Sequence, residues 1–132
     1  MNHINAIITD IKTSKNISIV TFKADGHLLK MMALGLAKPI QVGSKVILGV
    51  KASNIAIAKD LRGDFSISNR LHVKIEKINY GELLCAVFFR FDKQLLESII
   101  TRDSAETMGL HVDDTIMALI KSSELSIIEV QK

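Results

Sequence analysis

The sequence is poor in aromatic residues, and no long apolar run occurs in it. It has no tryptophan and a single tyrosine among 132 residues, which argues against a surface that binds nucleic acid by stacking bases. Its 17 lysine and arginine residues are scattered and the formal net charge is only +3, so the electrostatic signature of a nucleic-acid-binding protein is weak. We find no segment long enough to cross a membrane and no signal-peptide pattern at the N-terminus.

Cysteine is nearly absent too, since Cys85 in the apolar segment LLCAVFF is the single example. One cysteine excludes a disulfide within the chain, and its apolar surroundings predict an inert, buried thiol in a reducing compartment. Together with the missing signal peptide, this predicts a cytoplasmic protein.

Motifs that carry enzyme chemistry are missing as well. The four histidines have no spacing that would place two of them on one metal ion. No P-loop, G-x-S-x-G or paired-carboxylate signature is present, and Asp113-Asp114 is better explained as a solvated turn than as an acid–base pair. We therefore predict that the protein is not an enzyme and needs no metal or cofactor.

What the sequence does contain is an internal repeat. The segment IMALIKSSELSII, Ile116–Ile128, repeats VILGVKASNIAIA, Val46–Ala58, with lysines at matching positions 70 residues apart. Further upstream the two copies match at an offset of 67, where Asn69 corresponds to Asn2. A repeat of this length predicts two copies of one fold unit.

We place the two units at residues 1–62 and 63–132, with the charged segment KDLRGD, Lys59–Asp64, as the linker between them. A unit of about 65 residues is marginal alone by surface-to-volume scaling. Each unit is therefore expected to be stabilised by packing against the other unit or against further chains.

Alternating apolar residues predict that the first unit is built from strands. They indicate strands over Asn2–Ile11, Ile17–Phe22 and His27–Met32, and the dipeptide Asp25-Gly26 predicts a hairpin turn between the last two. The segment Ala33–Ala37 is ambiguous and is interpreted as one helical turn that ends before proline.

Elsewhere, Lys45–Ala58 predicts one or two strands, and the second unit repeats the pattern. Its extra residues include Asp103 followed by Glu106, which resembles a capping box, and Gly109, which suits a helix end. They predict a helix over Ser104–Met108. Each half then has about five short strands and one helical turn, so the predicted fold class is all-β, with two tandem OB-like small barrels.

Small hydroxyl residues lie beside lysine at matching places in the two halves. Lys51 is followed by Ala52 and Ser53, and Lys121 by Ser122 and Ser123. One interpretation is that these residues simply occupy exposed strand ends. Another is an oxyanion site, because a tetrahedral dianion requires N–H and O–H donors with modest positive charge.

The segments SIITRDSAETMGL and ALIKSSELSI resemble the Mop family of molybdate-binding proteins, also known as the TOBE domain. Ile100-Thr101, Gly109-Leu110 and Leu119–Ser122 stand where the family has an Ile-Thr step, a helix ending in Gly-Leu and a strand ending in Leu-Ile-Lys-Ala. In the first half the match rests mainly on Val50–Ala58. Where the family often has Ser-Ala-Arg-Asn, this chain has Ser66–Asn69, with Ser68 in place of the arginine.

The resemblance implies a tandem Mop protein that binds molybdate or tungstate non-covalently for storage, homeostasis or sensing. It also implies a ring-like homo-oligomer, commonly a trimer, with anions held at subunit contacts. Resemblance and donor chemistry together give these candidate oxyanion-binding residues: Lys51, Ala52, Ser53, Ser66, Ser68, Asn69, Thr101, Lys121, Ser122 and Ser123.

Two other classes stay open at this point. One is a regulatory or oligomerisation module that has lost anion binding, which the missing arginine before Asn69 makes worth testing. The other is nucleic-acid binding through the OB-like faces, which the low aromatic content disfavours.

Overall fold

Ten β-strands, one α-helix and two short 3-10 turns make up the structure, a computed structural model that describes residues 1–37 and 39–131. The elements of the first half are β1 (Asn2–Ser14), β2 (Ile17–Ala24), β3 (His27–Leu34), β4 (Lys45–Val50), a first 3-10 turn (Ala52–Asn54) and β5 (Ile55–Ala58). Those of the second half are β6 (Asn69–Tyr80), β7 (Leu84–Phe91), β8 (Gln94–Thr101), α1 (Arg102–Met108), β9 (Thr115–Ile120), a second 3-10 turn (Ser122–Glu124) and β10 (Ser126–Gln131).

The predicted all-β class with two OB-like units is confirmed, because the strands form two curled five-stranded antiparallel sheets. We call the sheet β10-β4-β1-β2-β3 the first barrel and the sheet β5-β9-β6-β7-β8 the second barrel. In β1 and β6 alternate residues are buried, as the apolar alternation predicts for strands with one face on a core.

Long bent strands allow each sheet to curl. The first part of β1 pairs with β4 and the rest pairs with β2, and a bulge between Ile8 and Asp10 interrupts the second pairing. A bulge occurs at the matching place in β6, between Ile75 and Lys77. An extra residue on one strand increases its bend and twist, so one strand serves both sides of its barrel.

The two halves of the chain exchange their last strands. β5 follows the first turn in sequence, yet it pairs with β9 of the second half, with Ile55 opposite Ile120. β10 in turn pairs with β4 of the first half, with Ile127 opposite Leu48. Each barrel therefore takes one strand from the other half of the chain. The division into repeat units at residues 1–62 and 63–132 stays a prediction about the sequence, and Lys132 lies outside the described residues.

Two buried asparagines hold the halves together at matching positions. The side chain of Asn69 accepts a hydrogen bond from the backbone N–H of Lys30 at 2.7 Å and donates one to the Lys30 carbonyl at 2.8 Å. Asn2 makes the same pair of bonds with the backbone of Glu97, both at 2.8 Å. Each amide thus bonds like a strand residue to an edge strand of the opposite half.

The helical segments differ in detail from the sequence-based predictions. The predicted helical turn at Ala33–Ala37 is wrong: β3 runs to Leu34 and an irregular segment follows. Gly35 there has a positive φ of 71°, which breaks the regular backbone. The helical turn of the first half is instead the 3-10 turn at Ala52–Asn54.

Helix α1 is confirmed in the second half, but its start and its N-cap differ from the prediction. It begins at Arg102, and the cap is Thr101 rather than Asp103, because the Thr101 hydroxyl accepts a hydrogen bond from the N–H of Ser104. Gly109 ends the helix in the left-handed conformation, as predicted.

Buried apolar side chains from both halves form one continuous cluster. Cys85 belongs to it and is fully buried, as predicted, and burial raises the pKa of its thiol. Over residues 1–37 and 39–131, no helix is long and apolar enough to cross a membrane.

Candidate functional site

The two 3-10 turns present their lysines in the same way. Lys51 and Lys121 are the N-cap residues of the first and second turn, with φ/ψ of −69°/143° and −64°/142°. Both lysines are exposed. Because the first N–H groups of any helical turn lack partners inside it, each turn offers backbone donors beside a positive charge.

The two turns meet each other directly. Nδ2 of Asn54 in the first turn donates a hydrogen bond of 2.8 Å to Oε2 of Glu124 in the second turn. These two residues occupy the same place in the repeat, 70 positions apart. The strand exchange explains the contact, since it carries the chain from each turn across into the other barrel.

A shallow pocket of about 360 Å³ lies where the turns meet. Its polar side chains are Ser53 and Asn54 from the first turn with Lys121 and Glu124 from the second. Isoleucines and a leucine, among them Ile67, form the apolar part of its wall. The pocket is therefore composed of residues from both halves of the chain, rather than of one complete copy of the repeat.

Ser53 and Lys121 are the two predicted site residues that line this pocket. The remaining residues of the two turns, Ala52, Ser122 and Ser123, lie beside them, with Ser123 exposed and the other two half-buried. With Lys51, these positions place all six predicted residues of the repeat on two adjoining turns.

The predicted residues outside the turns have other surroundings. Ser66 and Ser68 are exposed in the loop before β6 and flank Ile67, which lines the pocket. The side chain of Asn69 is buried and bonded to Lys30. The Thr101 hydroxyl caps α1 and donates to the Ser104 hydroxyl at 2.8 Å, while Ile100 beside it lines the pocket. Roles for these residues in anion binding stay predictions.

The contribution of Asn54 was missed at the sequence level. Its position in the repeat aligns it with Glu124, so the sequence carried the signal that two polar residues occupy one structural place. Their mutual contact depends on the strand exchange, which local patterns do not reveal.

Chemically, the pocket combines an ammonium group, a hydroxyl, an amide and one carboxylate. Such a lining suits an oxygen-rich anion held by hydrogen bonds and charge. In the part of the chain that the structure describes, no three residues of the His, Cys, Asp or Glu types gather closely enough to hold a metal ion.

The fold is shared with a protein of known structure. The molybdate-bound structure of the cytoplasmic molybdate-binding protein ModG superposes with a TM-score of 0.87, covering 96% of this chain and 94% of ModG at 19% identity. At that identity the likeness establishes the fold. The chain thus has the tandem OB-like architecture that ModG has.

A sequence match to a known domain covers much of the second half of the chain. Residues 66–127 match the model of the TOBE domain, which confirms the resemblance noted from the sequence. ModC, a molybdenum import ATP-binding protein, is 37% identical over 78 residues in Brucella abortus, Brucella suis and Brucella melitensis. The match covers 58% of this chain but about a fifth of the length of these relatives, 22%.

Proposed function

We propose that this protein binds molybdate or tungstate non-covalently and does not transform it. The observation that carries the proposal is the pocket between the two 3-10 turns, in which Ser53 and Lys121 converge within a chain that has a TOBE domain and the ModG fold. The proteins with which the chain shares these features include one that binds molybdate and one that belongs to molybdenum import.

The hydrogen-bond donors of the pocket favour the binding of an anion whose oxygens act only as acceptors. Molybdate and tungstate are deprotonated dianions, so the Lys121 ammonium, the Ser53 hydroxyl and the free N–H groups of the turns can all donate to them. Sulfate presents the same acceptors and differs in size. Hydrogen phosphate carries a proton that needs an acceptor. Glu124 contributes the one carboxylate of this lining, and a proton that does not reach it stays unpaired at a cost of about 1–3 kcal/mol. We expect molybdate and tungstate first, sulfate well below, and phosphate weakest.

The role that fits such a protein is cytoplasmic storage, homeostasis or sensing of the oxyanion. We further propose that the chain forms a homo-oligomer, with a trimer favoured, because exposed apolar side chains such as Leu34 and Leu83, at 82% and 80% exposure, remain uncovered on one chain. Light scattering should give a mass that is a multiple of 14.6 kDa. A mass of one chain at micromolar concentration would contradict the oligomer.

The test of the binding function is a calorimetric titration of the purified protein with molybdate, tungstate, sulfate and phosphate, paired with measurement of molybdenum retained after desalting. Saturable molybdate binding that phosphate fails to displace at comparable concentration supports the proposal. Equal displacement by phosphate would indicate a generic anion site. An absence of retained molybdenum and of binding heat would favour the alternative, a regulatory or oligomerisation module that has lost anion binding.

A further inference from the structure

Glu124 introduces a negative charge into a pocket that otherwise suits anions. It lies in the second 3-10 turn and lines the same pocket as Lys121 and Ser53. The corresponding residue of the first turn is the neutral Asn54. The two turns therefore differ in charge at the position where a hydrogen bond joins them.

Asn54 determines how the Glu124 carboxylate is placed. The 2.8 Å hydrogen bond from Nδ2 of Asn54 ends on Oε2 of Glu124, so Oε1 keeps its capacity to accept. Among the described residues the ion pairs involve other carboxylates, those of Glu76, Glu106 and Asp114. The charge of Glu124 is thus not cancelled by a bonded cation.

Such a carboxylate treats two kinds of tetrahedral anion differently. It repels any dianion, and for an anion without a proton this repulsion is its whole effect. An anion that carries an O–H can donate that proton to the free carboxylate oxygen, which offsets the repulsion with a charge-assisted hydrogen bond. The carboxylate therefore weakens the binding of molybdate and sulfate more than the binding of hydrogen phosphate.

We propose that Glu124 is the selectivity-determining residue of this pocket, since its carboxylate lowers the affinity for fully deprotonated oxyanions and narrows their advantage over protonated ones. This inference rests on the proposed oxyanion function. The second turn thus carries a carboxylate that lowers the affinity of the pocket for these anions, whereas Asn54 of the first turn carries no such charge.

The test is titration of the Glu124→Gln variant with molybdate, sulfate and phosphate at mildly alkaline pH, where phosphate is a dianion with one proton. Glutamine keeps an oxygen for Asn54 and directs an N–H2 group towards the pocket. We expect molybdate and sulfate to bind roughly three- to tenfold more tightly, while phosphate gains nothing. The molybdate-to-phosphate affinity ratio should widen by that factor, and the molybdate-to-sulfate ratio should stay constant.

Glu129→Gln is the matched control, because Glu129 is an exposed carboxylate on β10 outside the wall of this pocket. It removes the same charge from the chain and should change neither ratio. The inference is overturned if phosphate gains as much as molybdate in Glu124→Gln, or if the two variants behave alike. A wild-type protein that takes up no molybdate would instead contradict the proposed function itself, so the two failures are distinguishable.

Discussion

The two barrels share one strand order but close differently. In the second barrel the Ser98 hydroxyl on β8 donates a hydrogen bond of 2.6 Å to the Ile55 carbonyl on β5, and α1 packs against β7 and β8. In the first barrel the position of Ser98 is taken by Met31, a buried thioether without a comparable donor. No helix occurs between β3 and β4 over the described residues 35–37 and 39–44.

This difference shows that repeats of one fold unit need not be equally self-sufficient. The second barrel has a polar closure and a helix, and four of its strands, β6 to β9, lie within the residues that match the TOBE domain. The first barrel leaves Leu28 and Leu34 of β3 largely exposed, and Asn69 of the second half makes two strand-like hydrogen bonds to Lys30 of β3. We infer that the first barrel depends more on its neighbour.

The largest effect is expected from breaking that dependence at Asn69. Asn69→Ala removes both hydrogen bonds to Lys30 and leaves the backbone N–H and carbonyl of Lys30 unpaired. We therefore expect the free energy of unfolding to fall by about 2–4 kcal/mol. Asn2→Ala should cost less, about 1–2 kcal/mol, because Asn2 is 7% exposed rather than 0% and water can reach the freed groups.

Urea denaturation of both variants measures this difference. Asn79→Ala is a suitable control, since Asn79 is exposed on the same strand as Asn69. Equal losses of stability for Asn2→Ala and Asn69→Ala would show that the two asparagines contribute equally to stability and that the barrels depend on each other equally.

The next effect concerns the two lysines of the turns. Lys121→Ala should remove a charge-assisted contact worth about 1.5–3 kcal/mol, a roughly tenfold to hundredfold loss of molybdate affinity. Lys51→Ala should have less effect, because Lys121 lines the pocket with Ser53 and Glu124. Calorimetric titration of both variants decides between them, and a larger loss for Lys51→Ala would place the better site at the first turn.

A smaller effect is expected from the closure of the second barrel. Ser98→Ala leaves the Ile55 carbonyl without its buried partner, which should lower the free energy of unfolding by about 1–2 kcal/mol. The measurement is urea denaturation, with the exposed Ser66→Ala as control. If Ser98→Ala were neutral, the second barrel would close no more firmly than the first, where methionine fills that place.

The smallest effect should appear as a difference in acid stability. A hydrogen bond from the His111 N–H and another from Lys59 hold the pKa of Asp114 below its usual range. A carboxyl with a lowered folded-state pKa contributes stability that is present above its unfolded pKa and is lost as the pH falls through the folded value. The matching residue of the first barrel, Ser44, does not titrate.

Thermal unfolding of wild type and Asp114→Asn tests this expectation. The variant should melt at a lower temperature at neutral pH. The two curves should approach each other once the pH falls below the unfolded value of about 3.9, and should converge when it has passed through the lowered folded pKa of Asp114. A gap between them that stays constant with pH would mean that the carboxylate charge of Asp114 contributes nothing.

Local patterns in the sequence predicted most of the elements. Alternating apolar residues located the strands, Asp25-Gly26 located a hairpin turn that β2 and β3 do form, and the repeat indicated two similar units. These features depend on residues close together in the chain, where periodicity and turn chemistry act.

The strand exchange could not be predicted in this way. β5 and β10 follow equivalent strands and carry similar apolar alternation, so either could pair with β4 or with β9 on local grounds. Pairing between distant strands is decided by the packing of the whole chain. The set of residues that line the pocket depends on the strand exchange, so it could not be predicted from local patterns either.

Individual polar residues were also ambiguous in the sequence. The family pattern predicts a role in anion binding for Asn69, and that role stays a prediction, while the structure shows its side chain buried and bonded to Lys30. The sequence did indicate a buried, structural asparagine, because Asn69 is in phase with the buried Leu71 and Val73 of β6 and matches Asn2 in the repeat. Thr101 and Asp103 are both good cap residues, and only the observed helix start distinguishes them.

We propose that the oxyanion binds where the two 3-10 turns meet. The most direct measurement is to collect X-ray data at the molybdenum absorption edge from crystals grown with molybdate, and to locate the metal by its anomalous signal. We predict a peak within hydrogen-bonding reach, through its oxygens, of Lys121 and Ser53. A peak surrounded by residues of neither turn, or no peak at molybdate concentrations that saturate the protein in solution, would contradict binding at the two turns.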